Sequence, residues 1–310
     1  MAGGAGFIGS HLCERLLSEG HSVVCVDNLC TGSKVNLASF GDDSQFQFVQ
    51  ADVTGQFEFE NEFDHIWHMA SPASPPRYME LPMETALANT VGTSNLIKLA
   101  VESNATFLFA STSEVYGDPL EHPQVEEYRG NVDTRGDRAC YDEGKRFGET
   151  LSYIAQETQG LDARIVRIFN TYGPRMDPRD GRAMVDFIVR SLLDEPLRVF
   201  GDGSQTRSFC YVDDMVEGLF RAGTMEAARG CVINLGSPWE MTILQLAELI
   251  LEIRGVDLPI EYGPLPDRDP VRRRPDITQA RNVLGWQPNV APNVGIPIVV
   301  EWMSTRLKTN

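Results

Sequence analysis

The stretch GGAGFIG at residues 3–9 decides the fold of this chain. Its glycines, Gly3, Gly6 and Gly9, come directly before a helical apolar pattern over residues 10–18. Glycines at this spacing allow a tight turn and let backbone N–H groups at a helix N-terminus approach a pyrophosphate. Taken alone, the spacing fits an ordinary glycine-rich turn equally well.

Asp27 supports the dinucleotide interpretation. It lies 18 residues after Gly9, at the end of a short β-branched run. A carboxylate at that place accepts hydrogen bonds from a ribose diol and repels a 2′-phosphate, so NAD is preferred to NADP. Asp52, after the next apolar run, is a candidate for the adenine edge, although aspartate is also a common turn residue.

Apolar runs of strand length alternate with helical patterns up to about residue 170, which predicts βαβ units. We therefore expect an α/β fold with a doubly wound parallel (Rossmann) sheet and a smaller substrate-binding lobe. The predicted boundaries are 1–173 plus 209–236 for the NAD-binding domain and 174–208 plus 237–310 for the lobe. Beyond the first helix, predicted strands are 21–26, 45–49, 65–69, 106–110, 163–169 and 231–235, and predicted helices are 82–103, 141–158, 183–193, 213–223 and 242–254.

One strand of that fold is not visible in the sequence. The glycine fingerprint should follow a strand, yet only Met1 and Ala2 precede Gly3. The first strand, which is central in this topology, is therefore predicted to be missing from the chain, with the natural start lying upstream or lost by truncation.

The composition is that of a soluble globular protein: 310 residues, 42% hydrophobic, 23% charged and a mean hydropathy of -0.22. No apolar run approaches the roughly 20 residues of a membrane span, and the N-terminus lacks a secretion signal. Six scattered cysteines without a CxxC pair favour reduced thiols in the cytoplasm over disulfides or a metal site.

The charge balance excludes some partners. With 44 acidic and 27 basic residues, the net charge of -17 repels nucleic acid. An anionic small molecule would need basic residues concentrated at its site. The run Arg272 to Arg274 is either a solvated basic face or such an anion site, and in so acidic a chain we favour the anion site.

Tyr141 and Lys145 are spaced four residues apart, so on a helix both side chains lie on one face. A neighbouring ammonium group is expected to lower the pKa of the phenol and make it a base for an alcohol. An isolated YxxxK pattern is more often a routine helical contact. Here, however, hydroxyl and carboxylate side chains at 111–114 follow a buried strand, at the sheet edge where ligands bind.

Several motifs together identify a family: GGAGFIG, DNLCTG, ASPASPP, STSEVYGDP, CYDEGKR, RIFNTYGPRM, FGDGSQTRSFCYVDD and RRRPDI. The chain resembles the UDP-glucuronate decarboxylases (UDP-xylose synthases) of the extended short-chain dehydrogenase/reductase superfamily, from Gly3 to about Trp302. The resemblance implies that bound NAD oxidises the C4 hydroxyl of UDP-glucuronate. Tyr141 would be the base, Lys145 would lower its pKa and hold ribose, and Thr112 would bond near the reacting oxygen.

The resemblance also implies how carbon dioxide is lost. Related 4,6-dehydratases carry Asp-Glu where this chain has Ser113 and Glu114, so dehydration lacks its usual acid. Glu114 would position the substrate or a water, and Arg273 would bind the departing carboxylate. Alternatives are a nucleotide-sugar 4-epimerase, a 4,6-dehydratase, or an NAD-binding regulator without catalysis, although regulators usually lack the Tyr/Lys pair.

Further contacts follow from the resemblance. The segment from Ser71 to Tyr78 is too proline-rich for a helix and should form a loop beside the nicotinamide and the sugar. Arg207 is expected to bind the phosphates and Asn170 to lie near the inner phosphate, while Arg175 could instead pair with a carboxylate of the protein. Val199 and Phe200 are expected to flank the uracil, but they could equally form a strand that anchors the lobe. A homodimer is expected through the helices at 82–103 and 141–158. Expected cofactor contacts are Gly3, Gly6, Phe7, Ile8, Gly9, Asp27, Asn28, Thr31, Gly32, Asp52, Val53, Met69, Ser71, Tyr141, Lys145 and Arg182. Expected substrate contacts are Ser74, Tyr78, Asn170, Arg175, Val199, Phe200, Arg207 and Arg273.

Overall fold

Parallel strands form the centre of the molecule. The computed structural model describes residues 1–55, 59, 62–264 and 272–308. Its strands are β1 Val23–Asp27, β2 Phe46–Gln50, β3 His65–His68, β4 Thr106–Thr112, β5 Ala163–Ile168, β6 Thr171–Tyr172, β7 Leu197–Phe200, β8 Thr206–Ser208, β9 Cys210–Tyr211, β10 Val232–Leu235, β11 Glu240–Thr242, β12 Ile260–Gly263 and β13 Arg272–Arg273.

Helices connect and cover these strands. They are α1 Phe7–Ser18, α2 Pro75–Glu80, α3 Pro82–Leu87, α4 Thr93–Glu102, α5 Ala139–Gln159, α6 Ala183–Leu192, α7 Val212–Thr224, α8 Ile243–Arg254, α9 Thr278–Leu284 and α10 Pro292–Lys308. The predicted helix at 82–103 is divided, since a π-helical turn, Ala88–Gly92, lies between α3 and α4.

The large sheet is parallel throughout, as predicted. Four strands lie in the order β3-β4-β5-β10, and β1 pairs with β2 beside them. Ala2 forms parallel bridges to both Val26 and His68, so the backbone of residues 1–3 lies between β1 and β3. That is the position at which the central strand was predicted to be missing.

Helices cover both faces of this sheet. On one face α1 packs against α7, and on the other α4 and α5 pack together. Side chains of β4 alternate accordingly: Phe107 and Phe109 belong to one buried cluster and Leu108 to the other. α5 ends at Gly160, whose φ of 72° is the left-handed conformation that closes a helix.

Smaller strand pairs accompany a second group of helices. β8 pairs with β11 and β13, β7 pairs with β12, and α6, α8 and α10 pack on one another. Thr242 begins α8 with a capping box, in which its hydroxyl accepts from the Gln245 N–H and the Gln245 side chain accepts from the Thr242 N–H. α9 contacts β10 and α7. The domain boundaries given above remain predictions.

The described residues contain neither a membrane-spanning helix nor a cluster of metal ligands. None of the helices there is long and apolar enough to cross a membrane. Within the same residues, no group of three or more His, Cys, Asp or Glu side chains is placed to hold a metal ion.

Candidate active site

The glycine turn lies at the carboxyl end of β1, where α1 begins. A Cβ atom on Gly9 would stand 2.2 Å from the carbonyl oxygen of Gly3, so only glycine fits there without a shift of backbone. The two carboxylate oxygens of Asp27 accept the N–H groups of Ala5, at 3.0 Å, and Leu29, at 2.8 Å. The turn and the carboxylate are thus held in one unit.

A cleft opens beside this turn, and we call it the cofactor pocket. Asp52 lies on its wall and accepts hydrogen bonds from Asn28 Nδ2, at 2.7 Å, and from the Thr54 hydroxyl, at 2.6 Å. Phe7, Ile8 and Gly9 form the first turn of α1 next to it. Residues lining the cofactor pocket are Gly3, Gly6, Val26, Asp27, Asn28, Cys30, Thr31, Gly32, Ala51, Asp52, Val53, Met69, Ala70, Ser71, Pro72, Glu84 and Ala88.

The pocket suits a dinucleotide. The close approach of Gly9 to Gly3 leaves the helix N-terminus open to a pyrophosphate, and Asp27 offers carboxylate oxygens for a ribose diol. Asn89 was missed by the sequence analysis. It lies on the π-helical turn and donates from Nδ2 to the Ser71 hydroxyl at 2.9 Å, beside the pocket.

Tyr141 and Lys145 lie on one face of α5 and are both buried. Lys145 Nζ donates to the carbonyl oxygen of Ala110 at 2.6 Å and lies 5.8 Å from the centre of the Tyr141 ring. The side chain of Thr112, at the end of β4, lies close enough to the Tyr141 phenol to act on its pKa. The structure therefore brings the predicted trio together.

The predicted lowering of the Tyr141 pKa by Lys145 is not observed in the structure. Burial raises the pKa of Tyr141 above its ordinary value, although the Thr112 side chain opposes the shift. Burial also lowers the pKa of Lys145 to about 7, against the attraction of the Glu149 carboxylate. The expectation overlooked desolvation, which disfavours both charged forms in a dry site.

Glu114 is held between two arginines. Its carboxylate accepts from Arg273 Nη1 on one oxygen and from Arg138 Nη2 on the other. Although burial opposes the shift, the charges of these two arginines lower the pKa of Glu114 to about 2. We call Glu114, Arg138 and Arg273 the charge cluster. Arg138 was missed by the sequence analysis, because nothing in its local pattern shows which carboxylate it meets.

Ser113 and Glu114 begin the 3₁₀ turn Ser113–Tyr116, and the Thr112 hydroxyl caps it by accepting the Glu114 N–H at 3.3 Å. Ser113 is buried. The capping bond ties the Thr112 hydroxyl to the backbone of Glu114, whose carboxylate belongs to the charge cluster.

The proline-rich segment was predicted to be a loop, and this is wrong for its second half. α2 begins at Pro75 and includes Tyr78, with Pro75 and Pro76 in its first turn. Prolines are compatible with that turn because its N–H groups have no helical acceptors. Ser74 precedes the helix and is buried.

Tyr78 lies directly on the predicted base. Its ring stacks on that of Tyr141 with centres 5.1 Å apart and planes 6° from parallel. The Tyr78 hydroxyl and the Oδ1 atom of Asp142 are buried without hydrogen-bond partners among the described residues. Burial, with the nearby charge of Glu114, raises the pKa of Asp142 to about 7. Because these buried polar atoms have no partner among the described residues, they are available to hydrogen-bond to a ligand.

Arg207 and Arg273 are neighbours. They are paired in register on the parallel strands β8 and β13, so their side chains project to the same side. Both are buried, and Arg207 Nη1 donates to the carbonyl oxygen of Thr206 at 2.8 Å. The arginines predicted for the phosphates and for the carboxylate therefore stand side by side.

Other predicted substrate contacts are placed differently. Arg175 pairs with Glu14 of α1 at 2.5 Å, which is the alternative that the sequence left open. Val199 is 0% exposed in β7, so its side chain packs in the core as the strand alternative expects, whereas Phe200 is 45% exposed. The Asn170 carbonyl, between β5 and β6, accepts the N–H of Cys210 in β9 at 2.9 Å.

Arg182, predicted to approach the cofactor, precedes α6 and pairs with Asp180 at 2.5 Å. Its charge acts on both Tyr141 and Glu114. Arg182 therefore lies near the reacting end of the site, and its cofactor contact remains a prediction.

The chain is similar in sequence to a known family and to two decarboxylases. The profile of the NAD dependent epimerase/dehydratase family matches residues 1–236. The chain is 48% identical to UDP-glucuronic acid decarboxylase 4 of Arabidopsis thaliana over 97% of this chain and 67% of that protein. It is 46% identical to UDP-glucuronic acid decarboxylase 1 of Danio rerio over 99% of this chain and 73% of that protein.

Solved structures show the same fold. The UDP-glucuronic acid 4-epimerase of Bacillus cereus, in complex with UDP-glucuronic acid and NAD, superposes with a TM-score of 0.88 at 28% identity, over 99% of this chain and 98% of that one. The UDP-glucose 4-epimerase of Thermotoga maritima with UDP-glucose gives 0.88 at 29% identity, over 99% and 98%.

Proposed function

Because the chain belongs to the NAD dependent epimerase/dehydratase family, we propose that it converts UDP-glucuronate and a proton to UDP-xylose and carbon dioxide. The observation that carries the proposal is the charge cluster beside Tyr141. It places two guanidinium groups next to the predicted base, where a substrate oxidised at C4 would carry its carboxylate. The decarboxylase relatives, at 46–48% identity, support the same activity.

The cofactor pocket is where NAD would bind, with the pyrophosphate at the glycine turn and ribose at Asp27. When bound, NAD supplies a hydride acceptor, a positive charge at its oxidised ring, and the hydride for the final reduction. Tyr141 would take the proton of the C4 hydroxyl and later return it. Thr112 would hold the same oxygen, and Lys145 would hold the ribose.

Oxidation at C4 makes the sugar a β-keto acid. The bond from C5 to the carboxyl carbon can then break, because its electrons pass into the C4 carbonyl as an enolate. Arg273 would hold the carboxylate until it leaves, and Thr112 and Tyr141 would stabilise the enolate oxygen. Protonation at C5 and reduction at C4 complete UDP-xylose, so the nicotinamide cofactor is not consumed.

Product analysis tests the proposal directly. The protein is incubated with UDP-glucuronate and substoichiometric NAD, and the expected products are carbon dioxide and a UDP-pentose in amounts exceeding the NAD added. UDP-galacturonate without carbon dioxide would indicate a 4-epimerase instead. Turnover of UDP-glucose but not UDP-glucuronate would contradict the decarboxylase proposal.

We also propose a homodimer. Met83, Leu87 and Val91 are spaced four residues apart and are exposed, and Phe147 and Ile154, seven residues apart on α5, are exposed as well. Since α3 packs against α5, these side chains form an apolar surface that a second copy would cover.

Light scattering after size exclusion tests this pairing. We expect Leu87→Glu to shift the protein from dimer to monomer, while Val294→Glu, at an exposed position of α10, leaves the dimer intact. A monomeric wild-type protein would contradict the proposal. For localisation we propose the cytoplasm, supported by six cysteines that are all free thiols.

A further inference from the structure

The two arginines of the charge cluster are anchored differently. Arg138 stands at the first position before α5, and its carbonyl oxygen accepts the N–H groups of Tyr141 and Asp142, each at 3.0 Å. It is therefore fixed to the same helical turn as the predicted base. Arg273 comes from the two-residue strand β13, and besides Glu114 its guanidinium reaches only as far as the Gly117 carbonyl, at 3.5 Å, among the contacts seen in the described residues.

The guanidinium groups of Arg138 and Arg273 also share the Glu114 carboxylate. Arg138 and Arg273 donate to different oxygens of Glu114, so either one can depart while the other keeps its bond. Exposure of the side chains falls from 26% for Arg138 to 14% for Glu114 and 5% for Arg273. An uncompensated Glu114 carboxylate at this depth would be unfavourable, because a buried ion that loses its partner is strongly destabilised.

Extending the proposed function, on which this inference rests, we propose that Arg138 is a positioning residue for decarboxylation. It keeps Glu114 bound and charged while Arg273 turns from Glu114 to the carboxylate of the substrate. Arg138 itself does not touch the sugar in this scheme.

Charge balance supports the exchange. Two guanidinium groups match two carboxylates, namely Glu114 and that of the substrate, so in this scheme both carboxylates keep a guanidinium partner. When the substrate carboxylate leaves as carbon dioxide, one negative charge is lost and Arg273 returns to Glu114. The remaining carboxyl close to the cluster, Asp142, has an unpartnered oxygen, and its raised pKa fits a group that is neutral when the two ion pairs are complete.

The test compares two substrates that differ in the carboxylate. UDP-glucuronate requires Arg273 to change partner, whereas UDP-xylose has a C4 hydroxyl but no carboxylate, and its oxidation is followed as NADH formed in a single turnover. We expect Arg138→Met to lower kcat for UDP-glucuronate by about tenfold or more while NADH formation from UDP-xylose changes by less than about twofold. Arg138→Lys, which retains the charge, should recover part of the loss.

Arg135→Met is the matched control, since Arg135 is exposed in the loop three residues earlier. It is expected to leave both reactions unchanged. Equal losses with both substrates in Arg138→Met would show a general structural role and overturn the inference, as would no loss with either. If Arg138→Met does not fold, Arg138→Lys supplies the same comparison. A wild-type protein that oxidises UDP-xylose but releases no carbon dioxide from UDP-glucuronate would instead refute the proposed function.

Discussion

In the cofactor pocket, the glycine turn presents mainly backbone groups to a ligand, whereas the charge cluster consists of side chains from three distant segments. The turn spans only residues 3–9. The cluster joins residue 114 after β4, residue 138 before α5 and residue 273 on β13. A backbone site can be recognised from one short motif, while a side-chain site becomes visible only when the chain has folded.

Substitutions in the two regions should also have different effects on cofactor binding and on the reaction. Damage to the pocket weakens cofactor binding, and damage beside the charge cluster stops the chemistry with the cofactor still bound. Tyr141→Phe and Gly9→Ala test this separation, and His68→Gln tests the buried layer beneath both regions.

The largest effect is expected for Tyr141→Phe. It removes the oxygen that exchanges a proton with the C4 hydroxyl, so kcat should fall by about 10²- to 10⁴-fold. The dissociation constant for NAD, measured by calorimetry, should stay near that of the wild type. Activity close to wild type would contradict the assignment of the base.

His68 is buried beneath both regions. Its titration tests how the buried layer that they share contributes to stability. Its Nε2 lies 3.2 Å from the Ala88 carbonyl and 3.1 Å from the Thr93 hydroxyl. Burial, reinforced by the charge of Lys145, lowers the pKa of His68 to about 3. The unfolded chain gains a proton below its ordinary pKa of about 6.5 while the folded chain does not, so stability is lost as pH falls from about 6.5 toward 3.

His68→Gln removes this titration. Between pH 7 and 5 the wild type should lose about 2 kcal/mol more unfolding free energy than the variant, as measured by denaturant titration at each pH. His21→Gln is the control, because His21 lies at the opposite end of the sheet, where its ring contacts that of His65 at the start of β3. Equal losses in wild type and His68→Gln would show that His68 does not carry the pH dependence.

A smaller effect is expected for Gly9→Ala. The added Cβ would stand 2.2 Å from the Gly3 carbonyl oxygen, so the turn must shift and NAD affinity should fall about tenfold. Ser18→Ala, at the far end of α1, is the control and should bind NAD normally. Unchanged affinity in Gly9→Ala would show that the turn adapts and that the pocket is less dependent on its backbone than its geometry indicates.

Sequence reasoning predicted most of the fold. The predicted sheet strands end within about two residues of those observed, because buried parallel strands are continuous apolar runs. It failed at α2, where prolines in a first turn were taken to exclude a helix. The curated relatives confirm the predicted family, its enzyme class and its use of NAD.

The candidate site was predictable only in part. Tyr141, Lys145, Thr112 and Glu114 were found from motifs, and the structure brings them together. The contact between Glu114 and Arg138 was not predicted, since 24 residues separate the two in sequence. The direction of the Tyr141 pKa was also wrong, because the degree of burial cannot be read from the spacing of a tyrosine and a lysine.

The stacking of Tyr78 on Tyr141 has a consequence for the timing of the reaction. One face of the base is covered by an aromatic ring that is itself fully buried, which restricts how far the phenol can rotate. The entropy needed to aim it is then lost during folding rather than in each catalytic cycle. In the proposed cycle the same oxygen must accept one proton from the C4 hydroxyl and later return it, and a base with little rotational freedom keeps its position relative to the ketone between those two events.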